Sequence, residues 1–229
     1  MKKIAISVLA LSISVLCLAQ NSVASEMRNP ARGDLKNQFY FRFAYSHPAS
    51  TYIGVDDDAF WDEFSRVGGA FELGSIFMLN AIPMSDGLRM GINVDFTEFS
   101  YHQLTRSEAL SDFHVSVAKV SSKVGPSLSF SPVSGLVFDV SVKAKIPWVG
   151  GLVLWTPDDV EEWFLAKPVI GLATGLNIRY RFLMFGFEFN SERMKFESQD
   201  FPGTYFGNLS DESDKTPMPS FNFSLGFSF

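Results

Sequence analysis

Few residues in this chain are of the types that do chemistry, and their spacing narrows the choices. His114-Val115-Ser116 sets an imidazole two residues from a hydroxyl. An imidazole oriented by an acid can deprotonate a serine and make it a nucleophile for acyl transfer. No Asp or Glu follows His114 until Asp139. The other histidines, His47 and His102, each stand alone. Asp56, Asp57 and Asp58 are consecutive, whereas a calcium loop alternates its ligands and carries a glycine at its sixth position. The triplet therefore reads as a solvated acidic loop. The sequence has no glycine-rich phosphate loop. It nominates no catalytic residue, no metal ligand and no cofactor.

The elements that would position such groups follow from composition and period. The chain has 229 residues, 46% apolar and 15% aromatic, with 24 Phe and a net charge of −6. A nucleic-acid binder needs a basic stripe, and disorder needs few aromatics; neither fits. Lys2 and Lys3 precede an apolar run, Ile4 to Leu18, that is too short for a comfortable helical span. Small residues then offer cleavage after Ala19 or Ala24, so residues 1–24 read as a secretory signal and 25–229 as the mature domain. Cys17, the only cysteine, leaves with the signal. Packing and hydrogen bonds must then hold the exported fold.

The dominant pattern in the mature part has period two, the signature of strands whose faces meet different surroundings. Phe221, Phe223, Leu225, Phe227 and Phe229 alternate with Asn222, Ser224, Gly226 and Ser228. Phe39, Phe41, Phe43 and Tyr45 alternate with Tyr40, Arg42 and Ala44. The same rhythm predicts eight strands near 38–46, 66–78, 88–100, 113–130, 136–146, 169–180, 184–197 and 218–229. Between 113 and 130 the apolar phase changes, from Phe113, Val115 and Val117 to Val120, Val124, Leu128 and Phe130. A bulge near 118–120 would produce that change. Parity then turns His114 and Ser116 inward, and His47 and His102 outward.

The connections alternate in length. Links 47–65, 101–112, 147–168 and 198–217 are all longer than links 79–87, 131–135 and 181–183. Long loops on one side and tight turns on the other describe an all-β, eight-stranded, antiparallel up-and-down transmembrane barrel. An even strand count puts both mature termini on the periplasmic side and the long loops outside. The polar face carries Arg42, Glu72, Arg89, Asp95, Asp139, Lys143, Lys145, Arg179 and Glu188, interspersed with glycines. Opposite charges mixed with small residues suit a narrow lumen. A sheet face in water has little reason to prefer glycine, which weakens strands.

On this pattern the chain resembles the small eight-stranded outer-membrane barrels, such as the OmpA transmembrane domain and the OmpX and OmpW families. The resemblance covers about 37–229 and is one of pattern, not of a catalytic motif. It implies a non-catalytic surface protein with a membrane-integrity or adhesion role, a monomer whose partners are outer-membrane lipid and lipopolysaccharide. It also implies that Phe227 and the terminal Phe229 serve as a signal to the barrel-assembly machinery. Within this group, lipid A deacylases use a His-x-Ser pair that faces lipid, which His114 and Ser116 match in spacing but not in expected direction. An acyl hydrolase and a narrow gated channel are therefore the competing functions. An eight-strand interior is just wide enough for side chains, which favours a polar plug. Trp61, Trp155 and Trp163 fall in the long loops, as interface anchors or contact residues. Arg193 and Lys195 continue the lipid-facing parity beyond Phe185–Phe189 and suit lipopolysaccharide phosphates.

Overall fold

The computed structural model describes residues 35–49, 64–79, 82, 84, 87–108, 111–155, 161–196 and 216–229. The signal segment, the Asp56–Asp58 triplet and Trp61 lie outside these residues. Nine strands are present: β1 Gln38–Pro48, β2 Phe64–Met78, β3 Leu88–Glu108, β4 Ser111–Val133, β5 Leu136–Trp155, β6 Glu161–Tyr180, β7 Leu183–Phe196, β8 Thr216–Pro217 and β9 Ser220–Ser228. All pair antiparallel in sequence order, β9 returns to β1, and β7 pairs with both β6 and β9. The sheet is a closed barrel of eight staves. The two-residue β8 pairs with β7 through Arg193↔Pro217 and prolongs the β9 stave. No described helix is long and apolar enough to cross a membrane, and crossing by strands is a separate matter.

Closure is made at the C-terminus. Phe39 and Phe229 exchange both backbone hydrogen bonds at 2.9 Å, and their rings lie 5.5 Å apart. At the same end, β4 turns into β5 through Ser134 and Gly135, where Gly135 has φ 82°. Arg181 carries φ 54° in the equally tight β6–β7 turn, a conformation that a side chain adopts at a cost.

The strands run further than their apolar rhythm. Segments 101–108, 147–155 and 161–168 are strand, not loop, so two of the long links expected from sequence are largely paired strand. Backbone pairing continues there because ladder hydrogen bonds need no apolar side chain. The expected bulge at 118–120 is absent. Val115, Val117, Lys119, Ser121 and Lys123 are all buried, so β4 keeps one parity from 115 to 129. The phase changes lie in its neighbours instead. Phe96 is the extra residue in β3, Trp148 the extra residue in β5, and β6 has its irregularity at 170–171. The cross-strand register puts these three on one level. Ser122 of β4 ties two of them, donating to the Phe96 carbonyl at 2.6 Å and accepting from Trp148 Nε1 at 2.8 Å.

Candidate functional site: the charged lumen

Inward parity gathers the charges. Arg42, Lys119, Lys123, Lys143, Lys145 and Arg179 are buried, and so are Glu72, Asp95, Glu98, Asp139, Glu188 and Glu192. Among the described residues the two lists have equal length, so these enclosed charges balance. A closed interior demands this, because an unpaired charge away from water is far too costly.

The network is layered along the barrel. Nearest the tight turns, Arg179 grips Asp139 with Nε at 2.5 Å and Nη2 at 2.8 Å, and also reaches Gln38. Ser129 donates to the same carboxylate at 2.5 Å. In the middle layer Arg42 bonds Glu72, Glu188 at 3.1 Å and Asn177 at 2.7 Å. Lys123 is the hub: its ammonium contacts Glu188, lies 2.8 Å from Glu98 and 3.0 Å from Glu72, and sits 3.8 Å from Asp95. Lys143 bridges Asp95 at 2.7 Å and Glu188 at 2.6 Å. In the upper layer Lys145 bridges Glu98 at 2.9 Å and Glu192 at 3.3 Å, and Lys119 pairs with Glu192. Among the described residues every acid but Asp139, whose one base is Arg179, is shared by two or more bases from other strands, so the layers brace the staves against one another.

Apolar side chains flank these layers. Tyr40, Ile76, Met78 and Met184 form a buried cluster at the turn end. The Tyr40 hydroxyl donates to Asp95 and lies 2.7 Å from Asn93 Oδ1. Toward the other end Leu104, Val115, Val117, Met194 and Met218 are all buried on the inward parity. Glu72, Glu98 and Glu188 hold carboxylate oxygens within 4.8 Å of one another, a spacing that could suit a cation. The Lys123 ammonium already occupies that position, so the cluster is an internal ion pair rather than a metal site.

Several sequence expectations change here. Arg89 stays out of the network: it is half-buried at the turn end and donates to its neighbour's carbonyl, Leu88 O, at 3.1 Å. His102 faces inward, because the Phe96 bulge reverses β3 parity, and its Nε2 lies 2.7 Å from Ser46 Oγ. His47 faces outward and stacks on Tyr45. His114 and Ser116 face outward, opposite to the parity argument, because β4 never changes phase while Val115 and Val117 turn in. They do not engage each other. His114 Nδ1 is 3.1 Å from Thr105 Oγ1, and Ser116 Oγ is 3.0 Å from the Tyr101 hydroxyl. Among the described residues no carboxylate is bonded to the imidazole. Trp155 and Trp163 lie on hairpin strands β5 and β6, and Arg193 is exposed on the outward parity of β7. The side chains of Trp155, Trp163 and Lys195 are outside the described residues.

Four charged members of the network were not nominated from sequence: Lys119, Lys123, Glu98 and Glu192. Glu192 shares the parity of Glu188, and Lys123 lies opposite Val124, so both were within reach of the alternation. Glu98 and Lys119 were hidden, because one follows the β3 bulge and the other sits where a phase change was expected.

The chain is similar in structure to the attachment invasion locus protein Ail of Yersinia pestis, with 12% identity, a TM-score of 0.43, and coverage of 85% of this chain and 99% of that one. It is likewise similar to Neisserial surface protein A, with 12% identity, a TM-score of 0.38, and coverage of 83% and 95%. A third similar structure is the outer-membrane protein OprG of Pseudomonas aeruginosa, with 12% identity, a TM-score of 0.28, and coverage of 85% and 96%. No family model and no curated protein matches the chain.

Proposed function

We propose that this chain is a non-catalytic outer-membrane barrel with a plugged lumen, whose strand extensions form an extracellular surface for binding or adhesion. The observation that carries the reading is the inversion of ordinary soluble packing. Phe43, Phe223, Leu225, Val140 and Ile170 stand outside at 61%, 55%, 51%, 52% and 70% exposure, while six bases and six acids among the described residues are enclosed. Only a hydrocarbon surround stabilises that arrangement, since a contiguous apolar belt of this kind in water would drive association. The height of the belt agrees. From Leu136 to Trp148, β5 rises roughly 40 Å, or about 30 Å along the normal after the usual tilt, close to a bilayer core. Trp148, 41% exposed with its ring nitrogen bonded to Ser122, sits where an interfacial tryptophan belongs.

On this reading both mature termini and the tight turns are periplasmic, the hairpins 101–118 and 149–165 stand outside the cell, and the monomer contacts lipid all round. Phe227 and Phe229, on the closing strand, serve the assembly machinery. The test has two parts. Purified mature protein should migrate faster on a gel before boiling than after, as a closed barrel in micelles does, and planar bilayers containing it should show no steady single-channel current. A water-soluble compact monomer in detergent-free buffer would end the membrane reading, and a steady current sensitive to Lys123→Met would end the plug. Removal of Phe229 should lower the amount assembled in the outer membrane.

A further inference from the structure

We propose that His102 is an acid-sensitive latch at the outer end of the closing seam, tying β3 to β1 and β9 while its imidazole is neutral. The inference rests on the outer-membrane reading above and goes beyond it. Four residues carry it, and they lie in one register row. His102 of β3 pairs with Gly68 of β2, Gly68 with Ser46 of β1, and Ser46 with Asn222 of β9. His102, Ser46 and Asn222 face the lumen and are buried. Gly68 has no side chain, and a Cβ built there would meet His102 Cδ2 at 2.5 Å. The imidazole therefore lies across β2 and reaches a strand that β3 does not border. Its Nε2 is 2.7 Å from Ser46 Oγ. Ser46 gives its single proton to Asn222 Oδ1 at 2.5 Å, so the imidazole donates and the serine oxygen accepts. This row is also the last of the β1–β2 ladder: among the described residues no pairing of the two strands follows Ser46↔Gly68. Side-chain bonds stand where the backbone bonds run out.

A proton added to this ring finds the acids around it engaged. Lys119 of β4 and Lys145 of β5 act on the ring as cations, and Glu98 of its own strand is the opposing acid. Glu98 is held by Lys123 at 2.8 Å and by Lys145 at 2.9 Å. Glu192 of β7 is taken by the same Lys119 and Lys145. Arg66, next after Gly68 on the inward parity of β2, is half-buried and brings a further positive charge. Ser46 and Asn222 bring none. Burial first, and then the two ammoniums, hold the His102 imidazole well below the usual histidine range. On the membrane reading hairpin 101–118 lies beyond the bilayer, so a charged ring can leave for water. Its departure breaks the bond to Ser46 and frees the outer end of β1 and β9. The direction with pH follows. A released His102 binds a proton at the ordinary value of about 6.5, and the latched one does not. The latch is at full strength above that pH and weakens about tenfold per unit as the pH falls below it, until the latched ring is itself protonated.

Amide hydrogen exchange of the full mature protein in zwitterionic micelles, read by mass spectrometry, tests this at about pH 7.5 and about pH 5. Relative to the intrinsic rate at each pH, peptides over 44–48, 64–68 and 219–222 should exchange about thirtyfold faster in acid. Peptides over 38–42, on the inner end of β1, should not. His102→Gln keeps an amide near the Nε2 position but cannot titrate, so it should lose the acid response. His47→Gln and His114→Gln should keep it. Ser46→Ala, which removes the acceptor, should speed exchange of the same peptides already at neutral pH. A seam indifferent to acid in the unaltered protein overturns the latch, and that arm needs no variant to fold. An acid response that survives in His102→Gln, or neutral exchange unmoved by Ser46→Ala, does the same. Faster gel migration before boiling, recorded for every sample, separates the two failures. A protein that migrates as a closed barrel yet shows no acid response sinks only this inference, whereas one that forms no barrel in micelles sinks the membrane reading and the latch with it.

Discussion

Below the level of Phe96, Trp148 and residues 170–171, the outer face is predominantly apolar and the inner face holds the charges and small residues, with the Tyr40, Ile76, Met78 and Met184 cluster at the turn end. Above it the sorting relaxes. Leu104, Val115 and Val117 turn into the barrel, while His114, Ser116 and Tyr101 face out. The same strands stay paired on both sides of this boundary, with a shift of register at it. On the proposed membrane reading, the difference lies in what surrounds the outer face: hydrocarbon disfavours polar groups on the lower wall, and water or headgroups accept both kinds on the upper one. The bulges let the chain change parity where the surroundings change, a use of bulges that re-aims side chains.

The largest effect should come from the lower half. Lys123→Met leaves Glu72, Glu98, Glu188 and Asp95 sharing too few cations, and loss of one partner of a buried pair costs about 3–5 kcal/mol. Urea titration of tryptophan fluorescence in micelles measures this. A cost below about 1 kcal/mol would mean that the lumen is wetter than the packing implies. Next is a steric probe of the same half. A Cβ added at Gly226 would meet Phe41 O at 2.2 Å and Arg42 Cβ at 2.6 Å, so Gly226→Ala should destabilise by about 1–3 kcal/mol in the same titration. At the boundary, Trp148→Phe keeps the ring but loses the bond to Ser122, and should cost about 1 kcal/mol. A zero effect would remove Trp148 from the tie between bulges. The smallest effect should be in the upper half. His114→Ala should shift stability by less than about 0.5 kcal/mol. Expression of either form should leave the acyl pattern of lipid A unchanged by mass spectrometry. Loss of acyl chains with the unaltered protein alone would revive the hydrolase reading.

The sequence alone determined the stave count, the antiparallel order and which end holds the tight turns, because strand alternation is a local property read two residues at a time. It also nominated Arg42, Glu72, Asp95, Asp139, Lys143, Lys145, Arg179 and Glu188 for the interior, all on strands or stretches whose parity is unbroken. Only the tertiary structure decided where parity reverses. A bulge is a mismatch of register between two strands, visible from neither one alone, so His102, Glu98, His114 and Ser116 were legible in type but not in direction. It also decided the partners. Arg42 meets Glu188 across 146 positions of chain, and Lys123 serves several carboxylates at once, because closure of the barrel brings distant strands to one axis where every charge must find its opposite.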